Sequence, residues 1–145
     1  MRILLVEDNP DHTALIERSL EGSEPPVELH SVRDGEEALR YLRRQGPWAE
    51  PAESPRPHLI LLDLRLPRLD GFGVLQAIKD SPELRPIPVV ILTTSDADPD
   101  MARASALHAN SYLVKPVDFD EFVKLMGDVE EYWLDWNRQD TPVGS

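Results

Sequence analysis

Residues 59–62 read Leu59-Ile60-Leu61-Leu62 and stop at Asp63. Four apolar side chains without a polar break are too short a run for a helix and leave no face for water. They read as a strand buried on both sides, the mark of a parallel sheet. The same signature recurs on either side, at Ile3-Leu4-Leu5-Val6, Val89-Val90-Ile91-Leu92 and Tyr112-Leu113-Val114. Val27 to Val32 is a weaker run with mixed polar positions, as on an edge strand.

Amphipathic stretches separate these runs. Asn9 is an N-cap with Pro10 at the first helical position, and Thr13, Leu15, Ile16 and Leu20 form one face. Asp34-Gly35 opens a second helix with Ala38, Leu39, Tyr41 and Leu42 inward, and Gly71 opens a third with Val74, Leu75 and Ile78 inward. A fourth runs from Pro99 to His108 on Met101, Ala104 and Leu107. A fifth starts near Asp118, where Phe119, Phe122, Val123, Met126, Val129, Trp133 and Trp136 recur at three- and four-residue steps. Alternating strand and helix with long crossovers implies right-handed βαβ units. Five of each give an α/β fold, an open doubly wound parallel sheet; a closed barrel needs eight units and about 250 residues.

The chain has 145 residues, which is the size of one domain with a real core. It carries 15 Lys and Arg against 27 Asp and Glu, a net charge of −12. So acidic a surface repels nucleic acid and anionic membranes. The absence of cysteine excludes disulfides, thiolate catalysis and Cys-based zinc sites. No apolar run approaches the roughly 18 residues of a membrane span. The opening MRILLVEDN is broken by Glu7 and Asp8 too early for a signal peptide. These features place the protein in the cytoplasm.

Residues 46–57 hold Pro47, Pro51, Pro55 and Pro57 around Trp48. Proline at that density prevents helix and central strand, so this is a long, semi-rigid surface loop, a binding element or a tolerated insertion. The domain spans 1–137 and ends in the extended last helix; 138–145 is a short polar tail. After that helix there is no room for an output domain. Tyr132, Trp133 and Trp136, at its far end, either pack back on the body or bury against a second copy. A homodimer through the last helix and the fifth strand is expected.

Ligands of an open α/β sheet bind beyond the carboxyl ends of its strands. Those ends read Glu7-Asp8, Asp63, Thr93-Thr94-Ser95 and Lys115-Pro116. Each is ordinary alone: an acidic pair is a solvated turn, a threonine caps a helix, a lysine lies on the surface. Together they put three carboxylates, hydroxyls and one ammonium on one edge. Crowded carboxylates repel, and a hard divalent cation such as Mg²⁺ relieves them. With Lys115 the cation makes a place for a dianionic phosphoryl group, and Asp63 becomes a nucleophile that forms an aspartyl phosphate. His12, His30, His58 and His108 show no ligand spacing and read as surface or loop residues.

The sequence resembles the receiver domain of two-component response regulators over essentially its whole length. The resemblance rests on Val6-Glu7-Asp8-Asn9, on Leu61 to Gly71 (LLDLRLPRLDG), on Ile91-Leu92-Thr93-Thr94 and on Tyr112-Leu113-Val114-Lys115-Pro116, with Lys115 standing 22 positions after Thr93. It implies the flavodoxin-like receiver fold with strand order 2-1-3-4-5. It implies that Asp63 is the phosphoacceptor and that Asp8, Asp63 and the Arg65 carbonyl hold Mg²⁺, with Glu7 acting through water. Lys115 then pairs with Asp63 and the phosphoryl group, and Pro116 follows a cis peptide that orients Lys115. Thr93 draws its loop inward and Tyr112 fills the space behind it. Arg65 and Ser95 tune the lifetime of the phosphorylated state.

A narrower similarity joins the proline-rich loop, Leu92-Thr93-Thr94-Ser95 and Lys115-Pro116-Val117-Asp118 to stand-alone regulators of bacterial phytochrome kinases. It implies a sensor histidine kinase of phytochrome type as partner, and output through altered protein contacts. The receiver is then not a metabolic enzyme and catalyses only its own phosphorylation and slow dephosphorylation. The competing classes are a degenerate receiver serving as a scaffold and an aspartyl-phosphate phosphatase. The latter places its nucleophile on the first strand with a second acid two residues on, whereas position 65 is Arg. A flavin-binding domain needs a hydroxyl- and glycine-rich first loop, the opposite of Glu7-Asp8-Asn9-Pro10.

Overall fold

The computed structural model describes residues 1–23 and 26–139, with side chains for all of these except 53 and 133–139. Five strands, β1 (Arg2–Val6), β2 (Glu28–Val32), β3 (Leu59–Leu62), β4 (Val89–Thr93) and β5 (Ser111–Val114), alternate with five helices. These are α1 (Pro10–Leu20), α2 (Gly35–Leu42), α3 (Gly71–Asp80), α4 (Asp98–Ala106) and α5 (Phe119–Gln139). All strand pairs are parallel, in the order β2-β1-β3-β4-β5. This is the open, doubly wound sheet of the flavodoxin-like receiver fold.

The apolar runs divide by parity, as the strand period of two requires. Ile3, Leu5, Leu59, Leu61, Val90 and Leu92 face α1 and α5, where Ile16, Leu20, Phe122, Met126 and Val129 close the core. Leu4, Val6, Ile60, Leu62, Val89 and Ile91 face the other way, onto Ala38, Leu42, Val74, Leu75, Ile78 and Ala104 of α2, α3 and α4. Emptying a buried position of β3, as in Leu61→Ala, costs about 2–5 kcal/mol.

Helix starts follow their caps. The Asn9 side chain accepts from the Asp11 and His12 amides, Asp34 from Glu37, and Asp70 from Gly73. Gly71 has a steric reason as well: a Cβ there would lie 2.3 Å from the Asp63 carbonyl oxygen. The start of α3 is therefore pressed against the end of β3.

Several expectations need correction. β5 is not buried on both faces; it is an edge strand, half-exposed, with Val114 open to solvent. Met101 and Phe119 point outward, each 41% exposed, because only Ala104 of α4 and the face after Phe119 of α5 meet the sheet. The proline segment is no simple surface loop. It makes single 3₁₀ turns at Gly46–Trp48 and Pro51–Glu53 and folds back on the body. Buried Ser54 donates to the Trp48 and Glu50 carbonyls, and Trp48 packs against His30 and Tyr41. Helix α5 continues through 138 and 139. Residues 140–145 of the expected tail lie outside the described residues, as do the side chains of Trp133 and Trp136. Tyr132 is 61% exposed. Among the described residues, no helix is long and apolar enough to cross a membrane.

Candidate phosphoacceptor site

Of the buried polar residues of this fold, Glu7, Asp63, Thr93 and Lys115 all stand at the carboxyl edge of the sheet. Sheet pairing carries them there. Asp63 extends β3 and its amide donates to the Val6 carbonyl, while Glu7 donates to Val32 and Lys115 to Thr93. Residues from four separate stretches of chain thus sit side by side, where the switch in strand order leaves a crevice.

Glu7, Asp8 and Asp63 bring one carboxylate oxygen each to within 4.8 Å of one another. Asp8 is exposed; the other two are buried. The Lys115 ammonium bonds Glu7 Oε1, lies 3.0 Å from Asp63 Oδ2 and lies 2.9 Å from His12 Nδ1. An ammonium only donates, so His12 Nδ1 accepts and the ring proton sits on Nε2. Asp63 Oδ1 accepts from the Arg65 amide at 3.2 Å.

Burial, then a hydrogen bond shared with Asp63, push the Glu7 carboxyl up to about 7, against the pull of Lys115. Burial acts upward on Asp63 too, but the Glu7 hydrogen bond, the Lys115 ammonium and the Arg65 N–H hold it below its ordinary value. Lys115 and the Arg65 N–H therefore favour the negative charge on Asp63, while burial disfavours it on Glu7. When Glu7 is ionised its Oε2 is buried with no donor among the described residues. A buried orphan carboxylate oxygen beside two further carboxylates is a set of hard oxygen ligands, which fits a divalent cation.

Thr93 is fully buried, and its Oγ1 accepts from the Ser95 amide at 3.4 Å. Tyr112 is half-buried, and its hydroxyl donates to the Ser95 carbonyl at 2.8 Å. Arg65 turns its guanidinium to Asp100, at 3.0 Å.

The structure gathers Glu7, Asp8, Asp63 and Lys115 in one cluster and links Arg65, Thr93, Ser95 and Tyr112 in a second, and each holds a residue that the sequence reading omitted. His12 is not a surface bystander; it takes part in the polar cluster around Lys115, and its own pKa is lowered by burial and then by the Lys115 charge. Its signal was its place in the first turn of α1, just past Glu7 and Asp8. Asp100, which meets both Arg65 and Ser95, stands in the first turn of α4. Of the other histidines only His30 departs from a surface or loop residue, lying in β2 and stacked on Tyr41; His58, whose Nδ1 accepts from the Arg2 amide, and His108 are exposed in loops.

The family model of the response regulator receiver domain matches residues 3–126. The probable methanogenesis regulatory protein FilR2 of Methanothrix harundinacea is 47% identical over 141 residues, covering 97% of this chain and 88% of that protein. Response regulator Rcp1 of Synechocystis is 44% identical over 133 residues, covering 92% and 88%. The crystal structure of its Mn²⁺-bound form superposes with a TM-score of 0.85 at 41% identity, covering 98% of this chain and 96% of that one. The crystal structure of the phosphorylated cyanobacterial phytochrome response regulator RcpA gives a TM-score of 0.87 at 44% identity, covering 92% and 93%. The similarity thus extends to phytochrome response regulators hardly longer than this chain.

Proposed function

The chain belongs to the response regulator receiver domain family, and from that premise we propose that it accepts a phosphoryl group on Asp63 from a sensor histidine kinase. The carrying observation is the buried Asp63 carboxylate, 3.0 Å from the Lys115 ammonium and gathered with the carboxylates of Glu7 and Asp8. An Asp63 oxygen attacks the phosphorus of the kinase phosphohistidine. The P–N bond breaks as the P–O bond forms, and the imidazole keeps the electron pair and takes up a proton. Water later attacks phosphorus, releasing phosphate and restoring the carboxylate.

Mg²⁺ is the proposed cation, held by Asp8, Asp63 and the Arg65 carbonyl with Glu7 through water; when bound it neutralises phosphoryl oxygens. Lys115 turns to the phosphoryl group on the other side. The Thr93 hydroxyl, whose oxygen accepts from the Ser95 amide, donates its own hydrogen to a phosphoryl oxygen, and Tyr112 holds the loop behind it. Arg65 and Ser95 set the lifetime of the product. A shift of a few kcal/mol between two states of this loop is enough to change what the domain binds.

The likeness to the cyanobacterial phytochrome response regulator RcpA supports a bacterial phytochrome as the kinase, and the proposed setting is the cytoplasm. The receiver domain spans 1–137, and output is by protein contacts, including a homodimer through α5 and β5. Exposed Val114, Phe119 and Tyr132 support that surface. Sedimentation showing a monomer at high micromolar concentration would remove the dimer.

Incubation with Mg²⁺ and acetyl phosphate tests the central reading. The wild-type chain gains one labile phosphoryl mass and Asp63→Asn gains none. No mass gain by the wild type makes the chain a scaffold, and rapid turnover of many phosphate esters makes it a phosphatase.

A further inference from the structure

Asp63 follows β3 and Thr93 ends β4, and each leads into a loop on the same sheet edge. The residue two positions further on in each loop is tied to one carboxylate. Asp100 Oδ2 accepts the Ser95 hydroxyl at 2.6 Å and the Arg65 guanidinium at 3.0 Å. An exposed ion pair alone is worth little. Here the Asp100 side chain is only 17% exposed, against 70% for Arg65, and its bond from Ser95 is a short, charge-assisted one. Ser95 is fixed further: its Oγ accepts from the Ala97 amide and its carbonyl from the Tyr112 hydroxyl. Asp100 is not among the carboxylates that gather at the cation position.

We propose that Asp100 is a positioning residue that latches the β3–α3 loop to the β4–α4 loop and slows loss of the phosphoryl group from Asp63. The inference rests on Asp63 being the phosphoacceptor. Hydrolysis needs a water on phosphorus opposite the Asp63 oxygen; its attack breaks the P–O bond, returns the carboxylate and releases phosphate. A bridge between the two loops that flank Asp63 limits the access of that water. It also holds Ser95, and through it Thr93 two residues earlier, in place for the phosphoryl oxygens. Asp100 thus acts through Arg65 and Ser95 and does not meet the phosphoryl group itself. One oxygen serves both donors, so Arg65 and Asp100 form a single energetic unit.

The test is decay of the phosphorylated full chain in Mg²⁺ after removal of acetyl phosphate, followed by intact mass. Wild type, Arg65→Ala, Asp100→Ala, Asp100→Asn and Arg65→Ala/Asp100→Ala are compared. Each single variant loses the group roughly three- to tenfold faster, as expected for removal of one coupled contact, and the double variant is no faster than the faster single. Asp100→Asn keeps the shape and an acceptor for Ser95, so its acceleration, with an unchanged melting temperature, separates positioning from folding. Decay of the Asp100 variants at the wild-type rate overturns the latch, and so do single effects that multiply in the double variant. A wild-type chain that gains no phosphoryl group overturns the receiver reading itself, and the latch with it.

Discussion

Lys115 Nζ lies 3.0 Å from Asp63 Oδ2 across 52 positions of chain, with the two side chains 3% and 9% exposed. Buried pairs of this kind gain little over apolar packing, but removing one partner is expensive because the other charge is left buried. Lys115→Met leaves Glu7 and Asp63 facing each other with no counter-charge. The expected loss is about 3 kcal/mol of unfolding free energy without metal. Mg²⁺ supplies the missing positive charge, so the gap to wild type narrows when it saturates. Urea unfolding midpoints with and without Mg²⁺ read both; a gap indifferent to Mg²⁺ would show that the carboxylates are not what Lys115 neutralises.

Two glycine substitutions with opposite signs test how α3 is pressed against the site. The Cβ of Gly71→Ala falls 2.3 Å from the Asp63 carbonyl oxygen, a backbone atom that moves only if Asp63 moves. Overpacking of this kind costs about 1–3 kcal/mol, and the divalent-cation affinity falls with it. Gly127 lies within α5 with nothing within 4 Å of an added Cβ. Gly127→Ala therefore stabilises by about 0.5–1 kcal/mol and leaves cation binding alone. Thermal melts and metal titration of the two variants check this.

Much of this architecture was legible because strand parity is written in the sequence. Ile60 and Leu62 go to one core and Leu59 and Leu61 to the other, as the unbroken apolar run of β3 required. Site residues were legible because each ends a strand, and the sheet fixes where strand ends meet. The edge character of β5 was not, since Tyr112-Leu113-Val114 is apolar whether or not a neighbour covers it. Proline content told what 46–57 could not form, and was silent on Ser54 and Trp48 turning inward. Asp100 is one of 27 acidic residues, and only the packing of α4 singles it out.

That inward turn makes the proline segment testable. Trp48 meets Tyr41 with ring centroids 5.2 Å apart, and the Tyr41 hydroxyl donates to the Pro55 carbonyl at 3.1 Å, so both ends of the segment are pinned to α2. Trp48→Ala removes a large aromatic contact, with an expected loss of about 3 kcal/mol for a partly buried ring. The segment then becomes the first point of cleavage in limited proteolysis. Phosphorylation of Asp63 by acetyl phosphate is retained, because the carboxyl edge of the sheet is built without it. Cleavage elsewhere first would mean the aromatic contacts are not what holds the segment down.

His30 is expected to give the fold a sensitivity to acid that is separate from the carboxylate cluster around Asp63. Its ring stacks on Tyr41 at 4.6 Å, and its Nε2 is buried with no hydrogen-bond partner among the described residues. Burial holds the imidazole below its usual 6.5, against the pull of Glu37. In the unfolded chain the ring protonates at its usual value, while the folded chain resists the proton to lower pH. Stability from the neutral ring is therefore complete above 6.5 and is lost as pH falls through the folded pKa. His30→Phe preserves the stack and removes the titration. Between pH of about 7 and about 5 the melting temperature of the wild type should fall relative to that of His30→Phe, a comparison in which Glu7, held up to about 7 and stabilising the fold as pH falls, is common to both proteins. His12 and His58, also held low by burial, remain in both proteins and leave a residual slope. Circular dichroism melts across this range decide the matter: equal slopes would remove His30 from the acid response.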